Sequence, residues 1–426
     1  MALRREHLQT LLLLLSVCLA ESKMTETYKV MTYNAALLGA SISVNGTIPD
    51  NRVERRDALI EYLNDDANSD IVCLQEVFTG QDVEAIVNGV GSKFLFTYSE
   101  IHLSDGTLPP QSDVIWAPAC NTTDYLNFAN CALGNGCLSS TSDTILSPVT
   151  YDCLVTKCPT EFQTIVFVNG EKCVSCLIRN SPKNHFKRCA GPPSTDRWNI
   201  NKIGLLLLSK KELSDTEAIE YFPNDINIFA YGYLRAKVGD LTIGCTHIVP
   251  TDFNFPPLMS QFQTFSEQQA VELQKFVDAF AGADPVIALG DFNCGPDTEI
   301  FDPVDASNYE ILTGFFTTKH TEEGTYRSEN VYNEAPGQSY NYAIDHVFSA
   351  GRARILNTEV ILKNGTMPLE SSWLPYSDHY GVKAVVKVKK LEKYFSRNVM
   401  KNIAKTIHKT HITWKLLLIL ESFYFP

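Results

Sequence analysis

The feature that most constrains this chain is a recurrence of short apolar runs, each closed by turn residues and several followed at once by a chemically capable side chain. The runs fall at 28–33, 71–74, 203–208, 241–246, 286–289, 344–348 and 382–388. Their length and β-branched content suit buried core strands. Two stretches between them carry helical spacing. Residues 52–63 set Val53, Ile60 and Leu63 in phase. Residues 266–280 open on Ser266 and Gln269 as a capping-box pair and align Leu273, Phe276, Val277 and Phe280 on one face. Strands alternating with helices predict an α/β sandwich in which helices cover sheets. With 44% hydrophobic and 20% charged residues, the composition is globular and excludes a disordered or collagen-like chain.

The cysteines interrupt this rhythm. Cys120, Cys131, Cys137, Cys153, Cys158, Cys173, Cys176 and Cys189 crowd into a stretch read as an insertion at 117–192 between two strands of a main domain at 24–388. Residues 1–20 resemble a secretory signal: Arg4 and Arg5 precede an apolar run at 11–19 and the exit Cys18-Leu19-Ala20. An even, dense cluster in an exported chain predicts disulfides, whose pairing the sequence leaves open; zinc held through Cys173-x-x-Cys176 is the rival. Cys73, Cys245 and Cys294 are odd in number, so at least one thiol is expected to be free, and Cys73 and Cys245 read as small buried hydrophobes. Sequons at Asn45, Asn121 and Asn364 are glycosylation candidates compatible with export.

Polar groups stand at or near the ends of the predicted strands. Asn34 closes Met31-Thr32-Tyr33-Asn34, and Glu76 lies in Leu74-Gln75-Glu76-Val77. His247 follows Cys245-Thr246, and Asp291 and Asn293 lie in Gly290-Asp291-Phe292-Asn293. Asp345 lies in Ile344-Asp345-His346-Val347, and Asp378 and His379 in Ser377-Asp378-His379-Tyr380. Any one of these reads as a turn or cap residue. The ordered set resembles the deoxyribonuclease-I-like endonuclease/exonuclease/phosphatase superfamily over about residues 28–388, insertion excepted. Gly290-Asp291-Phe292-Asn293-Cys294-Gly295-Pro296 and Ser377-Asp378-His379 are the most specific pieces.

The resemblance implies a four-layer α/β sandwich, two packed mixed sheets flanked by helices, and Mg²⁺-dependent phosphoester hydrolysis. An anionic phosphodiester repels hydroxide, so a site must neutralise its oxygens, activate water and stabilise the leaving oxygen. Mg²⁺ takes oxygen ligands, often one or two carboxylates. Glu76 is the first candidate ligand, with Asn34 nearby and Asp378 as a further one; Mn²⁺ is an alternative ion, and one or two ions are open. His379 has the pKa of a general base. The resemblance implies that Asp345 fixes its tautomer, that Asp291 shares in orienting water, and that Asn293 and His247 bind phosphate oxygens. Whether Asp291 or His379 takes the proton is open.

Within the superfamily, Gly204-Leu205-Leu206-Leu207-Leu208-Ser209-Lys210, the helix after His247 and Tyr376-Ser377-Asp378-His379-Tyr380 are similar to the neutral sphingomyelinase branch, a phospholipase C type of enzyme. A secreted deoxyribonuclease is the alternative, and a non-catalytic binding module the third reading. The charge distribution bears on this choice. The net charge is −13, yet from Lys387 onward nine basic residues face two acidic ones, leaving −20 for the rest. In the tail at 389–426, Leu391, Phe395, Val399, Ile403 and Ile407 recur every four residues, as do Lys393, Arg397, Lys401, Lys405 and Lys409. The offset of two positions is about 200° around a helix, which sets the two rows on opposite sides. Trp414 and an apolar run at 416–420 follow. Such a helix fits peripheral contact with a membrane phospholipid surface through 389–420, or packing on the body. No stable nucleic-acid partner is expected unless the nuclease alternative holds, and the oligomeric state is open.

Overall fold

Alternation along the first strand sets the layers. In β1 (Thr25–Asn34), Tyr28 and Val30 face one core and Met31 and Tyr33 another, as the two-residue period of a strand requires. The computed structural model describes residues 25–37, 51–65, 67–138, 148–178, 180, 182–195, 197, 199–223, 230–253, 257, 261–333, 337, 339–363, 366–369 and 372–390. A compact unit spans Thr27–Val388. The few described residues of the other, terminal unit include Glu26 and Lys390, which pair at 2.5 Å.

After β1 come α1 (Arg52–Asp65), β2 (Ile71–Gln75), α2 (Gly80–Val90) and β3 (Phe96–Tyr98). The insertion supplies α3 (Thr122–Gly134), α4 (Pro148–Lys157), α5 (Pro159–Gln163), α6 (Gly170–Ile178) and α7 (Pro182–His185). Then follow β4 (Leu206–Ser209), β5 (Ser214–Glu220), β6 (Gly232–Val238), β7 (Leu241–His247), α8 (Phe265–Phe280), β8 (Val286–Asp291) and α9 (Ala306–Thr313). The chain goes on through β9 (Thr317–Thr318), β10 (Tyr326–Arg327), β11 (Asn341–Tyr342), β12 (Asp345–Ala350), β13 (Ala353–Ile361), β14 (Thr366–Leu369), β15 (Ser372–Pro375) and β16 (Gly381–Lys389).

Two six-stranded mixed sheets result, in the orders β13-β16-β1-β2-β4-β3 and β5-β6-β7-β8-β12-β9. Between them lies an apolar layer containing Val30, Ile71, Leu207, Leu234, Ile243, Leu289 and Val386. On the outer face of the first sheet, Leu59 and Leu63 of α1 and Val83 and Ile86 of α2 pack on Val72, Leu74 and Leu206. On the outer face of the second, Phe276 and Phe280 of α8 and Leu312 of α9 pack on Tyr233, Ala288 and Phe348. The four layers are therefore helix, sheet, sheet, helix, as expected.

Three details depart from the sequence reading. Cys73 of β2 and Cys245 of β7 are joined to each other. Both point into the layer between the sheets, where facing strands bring them together, so the bond ties one sheet to the other. Cys294 is the free, buried thiol among the described cysteines. The buried face of α1 is Arg55, Leu59 and Leu63, while Val53 is exposed. The cap of α8 is Thr264 with Glu267, a true capping box two residues earlier than Ser266 and Gln269. Ser266 donates to Asp305 Oδ1 at 2.9 Å, and Gln269 is buried beneath the site.

The insertion leaves from β3 and returns to β4, its antiparallel neighbour, so it lengthens a connection without disturbing the sheet. Its eight cysteines pair as Cys120–Cys173, Cys131–Cys158, Cys137–Cys153 and Cys176–Cys189. Phe128, Leu154, Ile165 and Leu177 are buried within it and belong to the same apolar cluster as Phe276 and Phe348. Each bond stabilises such a segment by about 2–4 kcal/mol. Asn121 is the N-cap of α3, accepting from the backbone N–H groups of Thr123 and Asp124. Asn45, Asn364 and the tail from 391 lie outside the described residues.

Candidate active site

Strand register builds the centre of the site. Asp291 ends β8, paired in register with His247 of the parallel β7 and Asp345 of the antiparallel β12. The three side chains thus form one row across adjacent strands. In the other sheet, Asn34 ends β1 opposite Gln75, and Glu76 follows with φ of 60°. Asn293 turns with φ of 48° just after Asp291. Left-handed backbone at two non-glycine residues costs energy and marks places where the surrounding structure dictates the conformation. Gly290 is required because a Cβ there would lie 2.4 Å from Thr246 O, so β7 and β8 could not stand this close.

The two sheets meet at one oxygen. Asn34 Nδ2 donates to Asp291 Oδ2 at 2.9 Å and to Glu76 Oε1 at 3.2 Å. His247 Nε2 stands 3.5 Å from the same Asp291 oxygen and His379 Nε2 3.8 Å. His379 Nδ1 bonds Asp345 Oδ2 at 2.9 Å. Asn293 gives its backbone N–H to Asp291 Oδ1 at 3.0 Å and its Nδ2 to Ile248 O at 2.8 Å, leaving one side-chain N–H.

Burial and charge set the protonation states. Burial lowers the His247 pKa to about 3, with His379 adding to the effect, so its ring is neutral at working pH. Burial also opposes charge on His379, but Asp345 and Asp291 outweigh it and hold the pKa well above 6.5. Burial and then Asp345 push Asp291 upward, so its carboxyl binds a proton far more readily than an exposed one.

The metal-ligand expectations sort unevenly. Glu76 is half-buried, its carboxylate accepting from the same Asn34 Nδ2 that bonds Asp291. Asn34 is in place, but its Oδ1 accepts from Ala36 N–H at 3.0 Å and its N–H groups face the carboxylates. To offer oxygen to a cation it must turn over and release Ala36. Asp378 Oδ1 lies 3.1 Å from Ser377 Oγ, and its charge acts on Arg55 and His379. Among the described residues, Asp291, Asp345 and His379 offer ligand atoms within 4.8 Å of one another, without Asp378. Asp345 Oδ1 is buried without a partner. Buried carboxylates in excess of nearby positive charge, offering hard oxygen donors, fit a divalent ion.

A family model described as Endonuclease/Exonuclease/phosphatase matches residues 31–379. The chain belongs to that family. Members of that family are phosphoesterases. No curated protein sequence matches the chain. Among solved structures, sphingomyelinase C from Streptomyces griseocarneus is similar at 14% identity and a TM-score of 0.46, covering 84% of this chain and 99% of that one. A doubly substituted beta toxin from Staphylococcus aureus with bound magnesium ions is similar at 12% and 0.45, covering 86% and 100%. TDP2 from D. rerio, complexed with a single-strand DNA product, is similar at 12% and 0.45, covering 85% and 99%.

Sequence reasoning missed Arg55. Fully buried, it donates to Ala35 O at 3.2 Å, Ala36 O at 2.8 Å and Tyr376 O at 3.2 Å. It thereby ties the turn after Asn34 to the residue preceding Ser377-Asp378-His379. Ser377 adds a second tie, donating to Asn34 O at 2.7 Å while accepting from His379 N–H at 3.1 Å. The signal in the sequence was its phase: Arg55, Leu59 and Leu63 share one face of a helix.

Proposed function

We propose that the chain is an exported, Mg²⁺-dependent phosphodiesterase that hydrolyses sphingomyelin to ceramide and phosphocholine. The observation that carries the hydrolytic part is the convergence of Asn34, His247 and His379 on Asp291 Oδ2. Asp291, raised by burial, takes the proton of an attacking water. His379, kept charged by Asp345, donates to the phosphate and then to the leaving oxygen; neutral His247 and the remaining Asn293 N–H hold the other oxygens as charge builds. Asn34 locks Asp291 and Glu76 together. Glu76 would hold a Mg²⁺ ion, which would supply neutralisation of phosphate charge.

Export is supported by the leader-like first 20 residues and by five disulfides among the described cysteines, which need an oxidising compartment. The choice of lipid rests on the Tyr376-Ser377-Asp378-His379-Tyr380 and Gly204-to-Lys210 pieces and on the basic, amphipathic tail. The purified mature protein should release phosphocholine from sphingomyelin vesicles with Mg²⁺ and stop in EDTA. His379→Ala and Glu76→Gln should each lower the rate by about 10²–10⁴-fold. Plasmid nicking without phosphocholine release would replace the lipid by DNA, and silence on both would leave the phosphoester unidentified and this reading wrong.

A further inference from the structure

Beside His379 stands an aromatic surface that the hydrolytic step does not use. Tyr326 of β10 and Tyr342 of β11 are cross-strand partners, so they share one face, and Tyr340, two residues before Tyr342, shares it too. The rings are nearly parallel: Tyr326–Tyr340 at 5.8 Å and 14°, Tyr340–Tyr342 at 4.7 Å and 14°, Tyr326–Tyr342 at 6.5 Å and 7°. Sides of these lengths make a compact stacked cluster, with Tyr340 and Tyr342 overlapping most closely, instead of a straight column. All three are part-exposed. Tyr326 packs against the His379 ring at 5.0 Å, and Tyr231 stands edge-on to His247 at 5.2 Å.

Asp252 completes the arrangement. The residue is exposed overall, though burial around its carboxyl raises its pKa, and its charge acts on Tyr231, Tyr326, Tyr340 and Tyr342 together. Its other charged neighbour is Asp305, of like sign. Among the described residues no lysine or arginine pairs with it. Aromatic faces and an unpaired carboxylate make a spot of negative potential at the edge of the catalytic group. Such a spot repels a polyphosphate chain and attracts a cation. A cation that cannot donate hydrogen bonds loses least by leaving water for ring faces, which singles out quaternary ammonium.

We propose that Tyr326, Tyr340, Tyr342 and Asp252 form a subsite for a quaternary ammonium group, docking it while the phosphate beside it is cut at His379. The proposal rests on the choline-phosphodiester reading above and supplies its selectivity. A choline phosphodiester carries its cation two methylenes from phosphate oxygen, so a site adjoining His379 is where that cation falls.

Binding and turnover test it separately. Tetramethylammonium chloride titrated into the full-length protein, against sodium chloride at equal ionic strength, should bind saturably by calorimetry. Asp252→Asn and Tyr342→Leu should each weaken that binding by about 3- to 30-fold, and Tyr342→Phe should retain it. In turnover, a soluble choline phosphodiester should show a KM about 10-fold below its neutral tert-butyl isostere with similar kcat, and Asp252→Asn should erase the difference. A merely structural tyrosine cluster would change melting temperature but not the ratio between the two esters. Sphingomyelin hydrolysis with no preference between the esters overturns the subsite and leaves the lipid reading standing. Saturable, Asp252-dependent tetramethylammonium binding without choline-ester turnover upholds the subsite and overturns the lipid reading.

Discussion

At the scale of single residues, the chemistry depends on where one proton resides. Asp291 and His379 are both shifted upward, Asp291 mainly by burial and His379 by the carboxylates that outweigh burial. Asp345 is the lever. Its carboxylate bonds His379 Nδ1 and its charge also raises Asp291. Asp345→Asn keeps a group of the same shape but removes the charge. The His379 pKa should then fall, because the imidazolium loses its strongest partner, and Asp291 should fall too. Activity that needs charged His379 is lost as pH rises through that pKa, so the alkaline limb of the kcat/KM profile should move to lower pH. The peak rate should drop by about 10²-fold or more. A profile with an unmoved alkaline limb would mean that His379 acts in its neutral form. Asn34, His247, Asp291, Asp345 and His379 come together because strand ends on one edge converge and strand register is a period-two property. The direction of the Asn34 amide was not legible, since a local partner, the Ala36 N–H, decides it.

At the scale of elements, α8 serves as a bracket for the loops that carry the site. Gln269 Nε2 reaches Val249 O at 2.9 Å and Asn293 O at 3.0 Å, and Glu272 Oε2 accepts from Val249 N–H at 2.9 Å. Glu272 is wholly buried, and burial raises its pKa to about 8 despite donors from Gln268 and Val249. The folded protein therefore holds a proton here that the unfolded chain releases near pH 4.5. Between that pH and about 8 the native state binds more protons, so stability contributed by this group falls as pH rises. Glu272→Gln should flatten that part of the dependence, raising the melting temperature at pH 8–9 relative to pH 5. Gln268 Oε1, buried without a partner, can receive the new amide if Gln268 turns over. Parallel pH dependences in the two proteins would place the slope elsewhere. None of this was readable from periodicity, which found an apolar face at Leu273, Phe276, Val277 and Phe280 but is blind to polar residues on the same face. Arg55 in α1 escaped for the same reason. The Cys73–Cys245 bond escaped because each cysteine sits in an apolar strand where a thiol is unremarkable, and only the stacking of the sheets brings them together.

At the scale of the whole molecule, the sequence divides into a body of about −20 and a tail of +7, the latter beginning at Lys387. An acidic body is repelled by an anionic membrane, while each lysine or arginine near such a surface contributes about 1 kcal/mol of attraction. The tail from 391, outside the described residues, carries the lysines on one predicted face and Leu391, Phe395, Val399, Ile403 and Ile407 on the other. Charge brings such a segment to a lipid surface, and the apolar face then holds it in the interface. Removing residues 391–426 should therefore weaken binding to vesicles that mix sphingomyelin with an anionic lipid by about 10-fold or more. The loss should shrink at high salt, where screening has already weakened the full-length protein. Turnover of a soluble choline phosphodiester should be unchanged, because the groups that bond Asp291 and His379 all lie between Asn34 and His379. If soluble turnover falls along with vesicle binding, the tail is part of the folded body and its lysines answer the acidic charge of that body instead of a membrane.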